Sequence, residues 1–162
     1  MEAKTVTLEP MKVLNVKHRG PYCNIGTAFE KLAVFVEKQG IELSNAQWVG
    51  VYFDDPESVP EEELRSEACV TIREDIEFSE DSDISVGEIT GGLYATTRHT
   101  GSYRDLGKSW GELYGAWIPQ NAFEPGNTPC FEIYVKGCEE TKEESEYLTD
   151  LYASVKPVQR NQ

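Results

Sequence analysis

The sequence predicts an α+β fold made of one unit used twice, a tandem strand-helix-strand-strand repeat. Three observations predict it. The fragment HRGPY at residues 18–22 returns as HTGSY at 99–103, 81 positions later in a chain of 162 residues. Each copy is followed by apolar residues at helical spacing, and each helix by two short β-rich runs. The offset between the copies grows only in loops, as insertions into a diverged duplication do.

A slide of 81 sets Leu8 on Ile89, Lys17 on Arg98, His18 on His99, Gly20 on Gly101, Tyr22 on Tyr103, Phe29 on Trp110 and Leu32 on Leu113. At 82, Val49–Phe53 falls on Phe131–Val135, and near 83 Cys69–Ile72 meets Tyr152–Val155. One domain over 1–162 is expected, with repeat one at about 1–72, a linker at about 73–85 rich in acids and serine, and repeat two at about 86–157.

The first strand is expected over residues 11–18, where loose alternation ends at Gly20-Pro21. Asn24 is the expected N-cap of a helix carrying Ile25, Phe29, Leu32 and Val36, stopped by Gly40. Trp48–Phe53 and Ala68–Ile72 read as strands on either side of an acidic, solvated turn from Asp54 to Glu63. In the second copy a strand over 93–99 precedes a helix from about Arg104 to Ile118, and strands follow near 130–136 and 148–155.

On the second helix Leu106, Trp110, Leu113, Tyr114 and Trp117 share one arc, a heavy aromatic stripe. Gly107, Gly111 and Gly115 recur every four residues beside it. Each costs about 1 kcal/mol against alanine. A neighbouring backbone, a ligand or a second subunit coming close would each explain the strip. In the strand Pro129–Val135, alternation puts Phe131, Ile133 and Val135 on one side and Cys130, Glu132 and Tyr134 on the other. If the first side packs on the helices, Glu132 and Tyr134 stand on the opposite surface of the sheet. Repeat one has Gly50 and Tyr52 at the matching places, so one carboxylate is unmatched. A lone carboxylate among rings either takes up a proton more readily or attracts a cation. His18 and His99, each at a strand end before a glycine turn, read as structural.

The formal net charge of −14 opposes direct contact with nucleic acid, because phosphates would meet a repulsive field. Cys23, Cys69, Cys130 and Cys138 form no CxxC pair and, with two histidines, no zinc spacing, so reduced thiols and no metal or cofactor are expected. Neither a signal peptide nor an apolar run long enough to span a membrane is present, and a cytoplasmic protein is expected.

The HRGPY turn, WVGVYFDDPESVPEEELRSEACVTI, EITGGLYATTRHTG, the helix bearing Trp110, PCFEIYV and the closing LYASVKP resemble the gyrase-inhibitor-like (GyrI-like) family over nearly the whole chain. That family shares its fold with the effector-binding domain of multidrug-responsive transcription activators. The resemblance implies antiparallel sheets, two helices, a pseudo-twofold between the repeats and a ligand cleft between them, with Glu132 as its central acid and aromatics from both halves as walls. The chain resembles the stand-alone members, without a helix-turn-helix module. Tyr22, Tyr52, Tyr103, Trp110, Tyr114, Trp117 and Tyr134 are the expected ligand-binding partners of Glu132.

A binding module for drug-like, amphipathic or cationic small molecules is the first reading, with a monomer or weak dimer expected. The second is a hydrolase of cyclopropane-bearing alkylating natural products, with Glu132 as general base and Tyr134 as an assisting donor. The third is an acidic modulator of DNA gyrase.

Overall fold

The computed structural model describes residues 1–43, 45–73 and 83–159. The chain divides into two units, Met1–Glu9 with Gly91–Gln162 and Pro10–Thr90. Most of the expected linker, residues 74–82, lies outside the described residues.

The Pro10–Thr90 unit is an antiparallel sheet ordered β3(Trp48–Tyr52), β4(Arg65–Thr71), β2(Met11–Arg19), β5(Ile84–Ile89), with helix α1(Gly26–Lys38) on one face. Leu14, Val16, Ala68 and Val70 point from the sheet into Ala28, Leu32, Phe35 and Val36 of the helix, which closes an apolar core. Leu32 is fully buried there, and trimming it to alanine would cost about 2–5 kcal/mol. The expected Asn24 cap is corrected: Tyr22–Asn24 form a 3-10 turn and Ile25 holds the capping position with no side-chain bond. The turn itself supplies an acceptor at this end, the Tyr22 carbonyl, to which Ile25 N–H donates. At the far end Gly40, at φ 63°, ends the helix, and Ile41 N–H donates back to the Val36 carbonyl.

The other unit has the antiparallel order β1(Ala3–Leu8), β6(Gly92–Thr100), β9(Leu148–Pro157), β8(Cys130–Lys136), and the short β7(Phe123–Pro125) also pairs with β9. Its helix begins as α2(Leu106–Glu112), passes through a π-helical stretch over Leu113–Trp117 and ends in α3(Ile118–Gln120). Leu113, Ile118, Ala95, Leu151, Ala153 and Val155 form the core beneath it.

The duplication is visible element by element. β1 and β5 start 81 residues apart, at Ala3 and Ile84, and so do β2 and β6, at Met11 and Gly92. The sequence repeat and the compact units nevertheless differ. β1 pairs with β6 from Ala3↔Thr97 to Leu8↔Gly92, and its counterpart β5 pairs with β2 from Met11↔Ile89 to Val16↔Ile84. Each sheet thus takes its outer strand from the segment that leads into the other repeat. Neither β1 nor β5 carries a strong periodic signal in the sequence, which is why both escape a reading by pattern.

The opening signature closes the same turn in both units. His18 Nε2 lies 3.2 Å from the Pro21 carbonyl, and His99 Nε2 lies 3.0 Å from the Ser102 carbonyl. Gly20 and Gly101 sit beneath these rings at φ 122° and 124°, which a side chain resists. Their N–H groups donate to the carbonyls of Leu64 and Tyr147. His99 is buried and also bonds Ser109 Oγ through Nδ1 at 2.7 Å, so both ring nitrogens are engaged.

Candidate functional site

β8 holds Glu132 on the helix-facing side of its sheet. Glu132 pairs across the ladder with Leu151, which packs against Leu113 in the helix-facing core. Cross-strand partners point the same way. The condition left open by alternation, that Phe131, Ile133 and Val135 pack on the helix, is not met. Phe131 lies on the other face, stacked on Tyr152 at 4.8 Å and edge to face with Tyr94 at 5.2 Å. Alternation distinguishes two faces without saying which meets the helix, and here Phe131, Glu132 and Ile133 are all buried. Val135 leaves the pattern altogether: the register shifts between Tyr134 and Lys136, and Val135 is 42% exposed.

Glu132 is 4% exposed. Trp110, reaching down from α2, donates its indole N–H to Oε2 at 2.8 Å, and Tyr134, two residues along the strand, donates its hydroxyl to Oε1 at 2.8 Å. Both donors are neutral. Among the described residues no cationic side chain makes an ion pair with this carboxylate. Burying a carboxylate is costly unless it is paired or hydrogen-bonded, and these two hydrogen bonds from neutral donors are what the neighbouring side chains set against that cost.

Aromatic rings extend the site. Tyr114 stacks on Trp110 with centroids 5.7 Å apart and planes 20° apart. On the Tyr134 side, Tyr103 meets Tyr134 edge to face at 5.8 Å and lies against Tyr147 at 5.0 Å. Burial, with Cys138, Tyr147, Glu140 and Glu132 nearby, pushes the Tyr103 hydroxyl up to about 12, so it stays a neutral donor at neutral pH. Gly137 makes room for that hydroxyl, since a Cβ there would stand 2.8 Å from it. Burial first, and then Cys130, raises Tyr114 above the ordinary tyrosine range. Burial pushes the Cys130 thiol up to about 11.

Of the eight residues the sequence singles out, Glu132, Tyr134, Trp110, Tyr114 and Tyr103 come together in one unit. Tyr22 and Tyr52 lie in the other, where they meet edge to face at 4.8 Å and Tyr22 donates to the Asp54 carbonyl at 2.6 Å. Trp117 stacks on Phe123 at 6.3 Å and packs on the apolar core. The π-helical stretch accounts for this, because Ile118 N–H reaches back five residues to the Leu113 carbonyl and the side chains beyond Leu113 leave the 3.6-residue phase. Cys130 and Tyr147 were missing from the expected set. The alternation that placed Cys130 beside Glu132 was a signal for the first, whereas Tyr147 arrives only by the folding of a loop. The glycine strip is also clarified: a Cβ on Gly107, Gly111 or Gly115 would meet no atom within 4 Å, so close backbone packing among the described residues does not explain it.

A shallow depression elsewhere on this unit, lined by Glu2, Arg98, His99, Ser109 and Glu112, does not include Glu132. It is polar, its arginine is held by Asp150 at 2.7 Å, and both ring nitrogens of its histidine are engaged.

Residues 1–156 match the profile of the GyrI-like small molecule binding domain. The chain belongs to the GyrI-like family. Among GyrI-like relatives, the DNA gyrase inhibitor of Citrobacter rodentium (strain ICC168) is 34% identical over 134 residues, 82% of each chain. The fold is that of the EcmrR C-terminal domain, at a TM-score of 0.82 and 19% identity over 97% of this chain and 98% of that one. A structure of SAV2435 bound to tetraphenylphosphonium matches at a TM-score of 0.60 and 15% identity, covering 96% of this chain and 94% of that one. Among the described residues no helix is long and apolar enough to cross a membrane.

Proposed function

We propose that this GyrI-like domain binds apolar, cationic small molecules, recognised at Glu132 and by the rings of Trp110, Tyr114, Tyr103 and Tyr134. One observation carries the reading: a buried carboxylate held only by neutral donors within a wall of aromatic rings. A delocalised cation supplies the missing positive charge without needing to donate a hydrogen bond, so neither existing bond to Glu132 must be replaced. Ring faces add cation-π attraction of about 0.5–2 kcal/mol each. The tetraphenylphosphonium bound by SAV2435, a protein of the same fold, agrees with this ligand class.

Titration with tetraphenylphosphonium and with neutral triphenylphosphine oxide, followed by calorimetry, tests the proposal. Clear preference for the cation is expected, together with a thermal shift that grows with its concentration. Equal affinity for the two would reject charge recognition. Turnover of a strained electrophile beyond one equivalent would move the reading to hydrolysis with Glu132 as base, a role that requires the carboxylate to be released from Trp110 or Tyr134.

A partner reading is favoured separately by the relatives named DNA gyrase inhibitor and by the acidic surface. Capture of purified gyrase at low salt that fades as salt rises would support a contact made through charge. No capture at low salt would remove it.

A further inference from the structure

The tyrosine of the repeated turn is held in one unit and left open in the other. In the Pro10–Thr90 unit the Tyr22 hydroxyl donates to the Asp54 carbonyl at 2.6 Å and accepts from the Asp54 N–H at 3.0 Å. One backbone residue thus latches the ring through both of its polar groups. Tyr103 is the counterpart of Tyr22, and Gly137 holds the place of Asp54. Asp54 follows Tyr52 by two residues, and Gly137 follows Tyr134 by three, because the register shift between Tyr134 and Lys136 adds one. The Tyr103 hydroxyl does lie over Gly137, since a Cβ there would stand 2.8 Å from it.

The latch itself does not form. The Gly137 N–H donates to Glu140 Oε2 at 2.7 Å, and the Gly137 carbonyl accepts from the N–H groups of Glu140 and Thr141, each at 3.1 Å. Both kinds of backbone group that hold Tyr22 are therefore engaged, in this copy, by the loop that follows β8. Among the described residues the Tyr103 hydroxyl makes no hydrogen bond, and Tyr103 is 41% exposed. A carboxylate accepts from a backbone N–H in a charge-assisted bond, about twice as strong as the neutral bond that a phenol oxygen would make. Glu140 thus displaces the tyrosine from this donor. The released hydroxyl belongs to the ring that meets Tyr134 edge to face at 5.8 Å, and Tyr134 donates to Glu132.

We infer that Glu140 is a positioning residue of the ligand site: by holding the Gly137 N–H it keeps the Tyr103 hydroxyl free to donate to an oxygen acceptor carried by the cation. The inference rests on the reading of Glu132 and its rings as the cation site, and it narrows the ligand to delocalised cations with an ester or ether oxygen on one arm. A ligand without that oxygen leaves the hydroxyl covered and unpaired, which costs affinity.

Thermal melts of the intact protein test the latch without any ligand. Tyr22→Phe should lower Tm, whereas Tyr103→Phe should not. Glu140→Ala frees the Gly137 N–H for the Tyr103 hydroxyl, so adding Tyr103→Phe to Glu140→Ala should now lower Tm as Tyr22→Phe does. Glu140→Gln, whose amide oxygen still accepts from Gly137, should behave as the parent. Calorimetry with alkyltriphenylphosphonium ions that carry or lack an ester, at matched arm lengths, tests the specificity. The parent should prefer at least one ester to its alkyl match about fivefold, the size of one hydrogen bond. Tyr103→Phe and Glu140→Ala should each abolish that preference, and Glu140→Gln should keep it. A Tm loss in Tyr103→Phe alone equal to that of Tyr22→Phe overturns the inference, and so does the lack of any further loss when Tyr103→Phe is added to Glu140→Ala. An ester preference that survives Glu140→Ala, or no ester preference in a parent that binds the alkyl ions, also overturns it. If the parent binds no phosphonium ion, the cation-binding proposal falls, and the melts decide whether Glu140 keeps Tyr103 free.

Discussion

Glu132→Gln changes one charge and almost no shape, and the geometry around it sets the size of the response. The amide oxygen can still accept from Trp110, whose N–H only donates, while the amide N–H faces Tyr134, whose hydroxyl reverses to accept it. Both bonds survive in neutral form, each weaker by about 1 kcal/mol than its charge-assisted version. Against this, the side chain no longer carries an ion out of water, a cost of several kcal/mol at 4% exposure. The variant should therefore be more stable than the parent by about 1–3 kcal/mol, with Tm rising about 2–4 °C for each kcal/mol in a chain of this size.

Binding should move in the opposite direction. A cation about 5 Å from the carboxylate, at an effective dielectric of about 20, gains about 3 kcal/mol. Removing the charge should weaken tetraphenylphosphonium about 200-fold and leave triphenylphosphine oxide within about threefold. Urea unfolding of both proteins and calorimetry with both ligands measure the two effects independently. A variant no more stable than the parent, or one that loses both ligands equally, refutes the reasoning.

Other consequences can be measured in the same preparations. Gly107→Ala and Gly111→Ala place a Cβ in open space on α2, so each should raise stability by about 0.5–1 kcal/mol in thermal melts; a loss would mean that something packs on the strip in solution. His99→Ala removes a buried ring and leaves two half-buried partners, the Ser109 hydroxyl and the Ser102 carbonyl, so it should cost about 1–3 kcal/mol, more than His18→Ala, whose half-buried ring makes one bond. Equal losses would show that the closed turn, rather than burial, sets the cost. Donation from the Arg65 side chain holds Asp54 below its ordinary 3.8. A depressed carboxylate contributes stability that is present above its unfolded value and lost as pH falls through the folded one. Asp54→Asn should therefore weaken the protein at neutral pH and flatten the acid limb of its pH-stability curve, and an unchanged limb in acid titration by circular dichroism would contradict the assignment.

What the sequence determined by itself was the local and the repeated. The HRGPY and HTGSY turns, the apolar spacing of α1 and the alternation of β8 are short-range patterns, and each became the element it implied because the chemistry that forms it lies within a few residues. Glu132, Tyr134 and Trp110 were legible for a related reason, since the repeat offers its own comparison and a carboxylate opposite Gly50 is conspicuous. Tertiary structure decided the rest. Which face of β8 meets the helix depends on the pairing of Glu132 with Leu151, a contact between distant strands. The exchange of β1 and β5 between sheets is set by long-range hydrogen bonding that no local period encodes. Trp117 left the aromatic arc because the π-helical stretch altered the phase, and Tyr147 joined Tyr103 because a loop returned to it. Periodicity specifies which side chains share a face, but only the packing of one element against another specifies what that face touches.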